Sequence, residues 1–536
     1  MKRFLLLTTQ LISTVLIFAV VSVSALQGQK RRQVSTPTVD EAREALSVGD
    51  LKRAEVLLET AIASQPSAEV CDLLGIVRDQ QNRDKEAEQL YLQALKLNPG
   101  LLNARNNLGN HYLKTGRVDD AVKEFQLVLK RDPLHAEANY NLGLVYLQTG
   151  AYNQSIAHLE KTIKSTGADL SILLILLEAN IKAKRDKRVS QILSQLYSVA
   201  DNDGKLHFTV GLTLARNGLY EKAAEAFRFT SEKQPQTFEV LYNLGIALYN
   251  ADKFEEAEKA LASAADIKPE IPEVHFRLGL VFSALGDSAG AVEEFKHTIE
   301  RNPKHTEAHF LMGEEYYKRN AMQAAYDSYE KAVELDPKKP LYHLKLGNAC
   351  FKLFKYARAE QAYRQLLELT DPKQVEVNYL IGYSLRSQGK LNEAIPFFQK
   401  ELEYKEKHFE SMANLGYLNV ELGNFEEAEK YLKATLELKP THSESYFDLG
   451  RMYVKQRKYP EAIELLQKAI SFKPDYTQAH YQLFLSYTRT GQKEKADKEL
   501  EIFKRLEEED KRERDERERR QRTIDNAASQ TEGKQR

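Results

Sequence analysis

The chain has no tryptophan, only two cysteines, and 25 glycines and 15 prolines in 536 residues. Cys71 and Cys350 by themselves cannot build a disulfide framework or a four-thiolate zinc site. Glycine and proline together make up under 8% of the chain, against about 12% in an average protein. A sheet-rich enzyme with many turns would need more. Neither sign of charge dominates: 77 basic and 78 acidic side chains leave a net charge of −1, which supplies no long-range field to attract nucleic acid or an acidic membrane. With 42% hydrophobic residues, overall disorder is excluded. At ~150 residues per domain the length predicts three or four domains, and the composition predicts a soluble, helical protein.

Long uncharged runs are confined to the start. Met1-Lys2-Arg3 precedes an uncharged stretch from Phe4 to Val23, closed by Val23-Ser24-Ala25. A basic start, an apolar core and small residues before a cut describe a secretory signal peptide. Left uncleaved, about 20 such residues also suffice for a membrane anchor. Either reading sends the remainder out of the cytoplasm, to the periplasm or the exterior, with anchoring through 4–23 as the alternative. Residues 26–34 form a polar linker.

What fills the rest is a repeat. Glycines on helical apolar patterns stand at Gly75, Gly109, Gly143, Gly211, Gly245, Gly279, Gly313, Gly347, Gly382, Gly416 and Gly450, 34 apart except for one double step and one step of 35. A small residue follows each by twelve positions, from Ala87 and Ala121 through Ser155 to Ala462, and prolines such as Pro99, Pro133, Pro303 and Pro474 close the units. Three registers locked to one period identify an internal repeat. Each unit reads as two helices: the glycine admits a close neighbour, a turn follows, and proline ends the second helix. One pair cannot bury its apolar face alone, so pairs must stack into a solenoid.

The pattern Leu-Gly, Tyr three residues on, Ala, Ala and Pro resembles the tetratricopeptide repeat (TPR), with Ser443 to Tyr453, Ala462, Ala469 and Pro474 as one good copy. The resemblance covers about 35–506 in fourteen units and implies an all-α, right-handed TPR superhelix whose first helices line a concave, peptide-binding groove. The expected organisation is 1–25 signal or anchor, 26–34 linker, 35–164 a first array, 165–203 a drifted pair, 204–506 a second array, and 507–536 a charged helix with a structureless tail after Thr523. In the drifted pair Ala179, Val189 and Asp201 are taken to replace the glycine, small residue and proline, and Ser171 to Leu177 is nearly continuously apolar. That run reads as a pair buried between neighbours, or as a bend or partner contact.

Groove candidates follow from unit positions. The sixth position holds Asn107, Asn141, Asn243 and Asn414, with Asp448 and Gln482 further on. This is similar to the asparagine ladder of the TPR region of O-GlcNAc transferase, where amides hold a peptide backbone; Arg277, Leu311, Lys345 and Leu380 interrupt it. The fifth position is aromatic, at Tyr140, Phe208, Tyr242, Phe276, Phe310, Tyr379, Phe447 and Tyr481, which suits either groove anchors or core packing. Histidines at the fourth position (His207, His275, His309, His343, His480) recur at repeat spacing, too far apart for one metal ion. Glutamates at the second position, such as Glu239, Glu273 and Glu444, suit the first turn of a helix. The TPR clamp for chaperone tails is incomplete, since Ser171 and Ile175 stand where its bases belong. No phosphate loop, zinc motif or nucleophile elbow appears.

The expected function is therefore a non-enzymatic scaffold without cofactor or metal, binding peptides or protein segments in the cell envelope or outside the cell. The alternatives are a targeting subunit for a separate glycosyltransferase and an assembly factor for envelope, pilus or polysaccharide export machinery. No nucleic-acid partner is expected, and a membrane only through the N-terminal segment.

Overall fold

The structure, a computed structural model, describes residues 37–200, 203–371, 373 and 376–533. The expected signal or anchor and its linker lie outside these residues. Among the described residues there are 28 helices, in fourteen successive pairs, and no strand. The first pair is Pro37–Ser47 with Leu51–Ser64, and the last is Thr477–Arg489 with Lys493–Gly533. No helix among them is long and apolar enough to cross a membrane.

Side-chain caps start several helices. Asp50 accepts from the backbone N–H of Arg53, and Ser67 from that of Val70, satisfying donors that a helix start otherwise leaves open. Each pair then turns on one residue of positive φ. Eight of these are glycines, from Gly49 to Gly491; the others are Asn82, Lys184, Asp252, Asn320, Phe354 and Arg457. The left-handed conformation reverses the chain within three residues.

The repeated glycine has a direct steric cause. It is the eighth residue of its first helix, or the sixth at Gly382 in Val377–Ser387, and faces the side chain sixteen positions later on the second. A Cβ at Gly109 would stand 2.6 Å from Phe125 Cε1, and one at Gly313 2.7 Å from Tyr329 Cδ1. Phe125, Phe227, Phe295 and Phe398 are completely buried in this place, each contributing ~1.5–3 kcal/mol of apolar burial. The small residue twelve positions after the glycine is fully buried throughout; at Ser155 its hydroxyl donates to the Gly143 carbonyl at 2.7 Å.

The drifted pair Leu170–Lys182 and Asp186–Ala200 keeps the helices but not this contact. Counting along the helix puts Leu177, not Ala179, in the glycine's place. A branched side chain there blocks close approach, and among the described pairs this one is packed most loosely. Its apolar run is internal: Ile172, Leu173, Leu176 and Leu177 are buried, and Leu174 and Ile175 half-buried. Burial between neighbouring helices, rather than an open apolar face, accounts for it.

The chain divides into two compact units between Glu270 and Ile271, so the drifted pair lies within the first unit rather than at a border. Within each unit, first helices of successive pairs touch one another while second helices do not pack together comparably. The first helices therefore line the inside of each unit's curve. The final helix continues to Gly533, through the segment expected to lose structure after Thr523. No proline or earlier glycine interrupts it. Cys71 and Cys350 are free and buried, and burial pushes both thiols up, that of Cys350 to about 11, which disfavours the thiolate.

Candidate functional site

The inner face of each unit is a row of first-helix side chains, and its polar residues are joined across pairs. In the first unit the Asn141 amide donates to Asn110 Oδ1 at 2.7 Å and Asn106 Oδ1 at 3.4 Å. The Asn107 amide donates to Asp72 Oδ1 at 3.0 Å. Burial raises the Asp72 carboxyl to about 6, partly offset by that bond. The structure thus gathers Asn106, Asn107, Asn110 and Asn141 into one patch. Asn243 stays apart and donates to the Glu239 carbonyl of its own helix at 2.7 Å.

Deeper along this row, Asp79, Asp84 and His111 offer ligand atoms within 4.8 Å of one another. The geometry does not suit a metal ion, because the Lys114 ammonium occupies the cation's place. It donates to Asp79 Oδ1 and Asp84 Oδ1, both at 2.9 Å.

In the second unit the row is richer in charge and rings. Lys345 Nζ donates to Glu314 Oε2 at 2.7 Å. Further on, the Arg386 and Arg451 guanidinium carbons lie 4.2 and 5.3 Å from the Tyr417 ring centroid, so both guanidinium groups stack against one tyrosine. Arg386 also lies 5.6 Å from the Tyr383 ring and donates to the Asn414 carbonyl oxygen, while Asn414 donates to the Glu410 backbone at 2.7 Å. Arg451 is paired with Glu421 and, at 3.0 Å, with Asp448 Oδ1. Burial raises the Asp448 carboxyl to about 6 against the pull of Arg451 and Arg386. The Arg451 Nε is buried with no hydrogen-bond partner. Arg386 differs from Arg451 in that its hydrogen-bond partner is a neutral amide.

The aromatic stripe belongs mainly to packing. Phe276 and Phe310 are buried, and each meets the ring under the repeat glycine of its pair, Phe295 at 5.9 Å and Tyr329 at 5.8 Å. Tyr379 meets Phe398 in the same way at 5.9 Å. Tyr140, Tyr242 and Tyr379 are half-buried. Three of the fourth-position histidines are fasteners: His309 and His343 bond the carbonyls of Pro303 and Pro337 at 3.1 and 2.8 Å, and His480 that of Pro474 at 2.9 Å, whereas His207 bonds the Asp203 carbonyl and His275 the Glu294 carboxylate. Asn139 does the same to Pro133 at 3.1 Å. Some second-position glutamates are held by lysines at the end of the second helix, as in Lys268–Glu239 and Lys405–Glu376, both 2.8 Å, whereas Glu273 is paired with Arg277 at 2.9 Å. The residues that the positional reading missed are Tyr383, Tyr417 and Arg451 at the ninth position and Arg386 at the twelfth. A tally of the ninth position, which also holds Glu314 and Asn348, is the signal that finds three of them.

Sequence models described as tetratricopeptide or TPR repeats match residues 39–101, 106–169, 209–271 and 344–406, together with 272–305, 313–353 and 408–475. The chain belongs to the tetratricopeptide-repeat family. The drifted pair of this TPR protein falls between the matched stretches. No curated protein sequence matches the TPR chain. Among solved structures it is similar to YrrB, described as a TPR protein with an unusual peptide-binding site, at 24% identity over 36% of this chain and 98% of that one, with a TM-score of 0.31. Yeast Tom70 is 16% identical over 80% of this chain and 96% of its own, with a TM-score of 0.29. A TPR protein from Cytophaga hutchinsonii is 18% identical over 45% of this chain and 99% of its own, with a TM-score of 0.39.

Proposed function

We propose that this TPR protein is a non-enzymatic scaffold of the cell envelope or exterior that holds extended segments of partner proteins along its inner face. The observation that carries this reading is the group formed by Arg386, Tyr417 and Arg451. Two guanidinium groups flank one half-buried ring, and Arg386 is hydrogen-bonded to an amide instead of a carboxylate. Such a guanidinium retains charge and donors for a carboxylate, and the neighbouring Tyr383 and Tyr417 rings supply rigid apolar contact. Acidic side chains, or the end carboxylate of a peptide, are the groups this face suits.

The test is binding of a peptide array by the purified chain. Acidic peptides should be retained, and Arg386→Ala with Tyr417→Ala should release them without changing the helical content. Retention of the same peptides by the double variant would remove this reading.

A further inference from the structure

One turn of the second unit carries a residue that the fold does not ask for. Phe354 has φ +59° and is 77% exposed, more than any other large apolar side chain among the described residues. A bulky residue in the left-handed region is strained, and strain that persists without a folding role points to function. The other thirteen inter-helix turns place glycine or a polar or charged residue here. Among the described residues the one ring that the Phe354 ring meets is Tyr356, edge-on, at 6.1 Å between centroids.

Its surroundings are basic and aromatic. Residues 351–356 read Phe-Lys-Leu-Phe-Lys-Tyr. Phe351 supports the turn from beneath, stacked on Tyr383 at 5.1 Å and meeting Tyr356 at 5.0 Å. Lys355 Nζ lies 3.9 Å over the Tyr326 ring and donates to Gln323 of the preceding pair at 3.1 Å. The turn of that preceding pair contributes Arg319. Arg319 and Lys352 are exposed, and neither has a carboxylate partner. On the preceding pair, Glu330 is bonded to Arg358 and the Tyr326 hydroxyl and is also drawn down by Lys355, Glu315 is paired with Lys318, and Asp327 accepts from the Gln323 amide at 2.8 Å.

We propose that this turn is a peripheral anchor that inserts Phe354 into the interface of an anionic phospholipid surface, with Arg319, Lys352 and Lys355 on the headgroup phosphates. A specific protein interface needs about 800 Å² per partner around an apolar centre. Here a single ring projects from a narrow turn beside Lys352 and Lys355, with Arg319 on the turn before it, and Arg319 and Lys352 have no carboxylate partner, which is the footprint of interfacial insertion. The near-zero net charge of the chain limits the attraction to contact range, within about a Debye length. The docking is therefore weak, reversible and sensitive to salt.

The absence of tryptophan makes the test specific. Phe354→Trp in the full chain places the sole indole on the turn, so its emission reports this site whatever residues 4–23 contribute. Vesicles of equal parts phosphatidylglycerol and phosphatidylcholine should shift the emission to the blue, and vesicles of phosphatidylcholine alone should not. Adding Arg319→Gln and Lys352→Gln should lower partitioning by on the order of twenty-fold, about five-fold per charge. High salt should abolish the shift. No shift on the anionic vesicles, an equal shift on the neutral ones, or a shift with rising protein concentration in the absence of lipid would each overturn the proposal, the last by showing a second copy on the turn. As a control on the premise, Phe354→Gly should melt no lower than the native chain, because glycine takes this φ freely; a lower melting temperature would show that the fold does need the ring.

Discussion

Glycine in this protein is a steric specification, and its cost of replacement can be graded. At Gly313 an added Cβ would overlap Tyr329 at 2.7 Å, whereas at Gly382 it would meet Phe398 at 3.1 Å. Alanine gains roughly 1 kcal/mol over glycine as a helix former, and overpacking costs roughly 1–3 kcal/mol. Gly313→Ala should therefore lower the melting temperature, and Gly382→Ala should leave it nearly unchanged. Equal effects in thermal denaturation would contradict the assigned contact. The glycine register was legible from sequence because a missing side chain is a strong, periodic signal. Its partner is less legible, because the side chain sixteen residues on varies among Tyr, Phe and Leu. The amides fared similarly. Asn107 and Asn141 were visible as a series, yet their hydrogen bonds run to Asp72, Asn106 and Asn110 of the preceding pair, and spacing alone does not reveal who accepts.

Between elements, the fourth position ties the loop that ends one pair to the first helix of the next. His343 reaches the Pro337 carbonyl at 2.8 Å, and Asn139 reaches that of Pro133 at 3.1 Å. Two different side chains thus do one job through a ring or amide nitrogen. His343→Asn should be tolerated, whereas His343→Leu should cost about 1 kcal/mol by leaving the carbonyl without its partner. Urea denaturation distinguishes them, and indifference to both substitutions would show the bond to be inconsequential. Sequence spacing excluded a metal there but could not see the proline carbonyl, since backbone acceptors leave no mark in residue identity. The drifted pair shows the opposite limit. Its helices were expected and are present, but the glycine slot falls on Leu177, two residues from the alanine that looked like its substitute. The loose packing that follows predicts faster amide exchange in Asp186–Ala200 than in Tyr220–Lys233. Matching protection in hydrogen-exchange mass spectrometry would contradict that assignment.

At the scale of the molecule, the fourteen helix pairs among the described residues mean that stability comes from neighbours in sequence, and that length extends binding surface more than it adds domains. The composition anticipated this: scarce glycine and proline are what an array of short-turned helix pairs requires. The division of the chain at Glu270 was not legible, because the repeat pattern continues through it without a change of spacing. The groove chemistry was only partly legible, because the charge of Arg386 matters through its partner Asn414, 28 residues away on another helix. The central claim is that partners lie against the inner face, and photo-crosslinking from that face tests it most directly. A photoreactive phenylalanine at Tyr417, between the two arginines, should yield partner adducts in whole cells, while the same group at Lys430 on the exposed second helix should not. Adducts from Lys430 and none from Tyr417 would contradict the account.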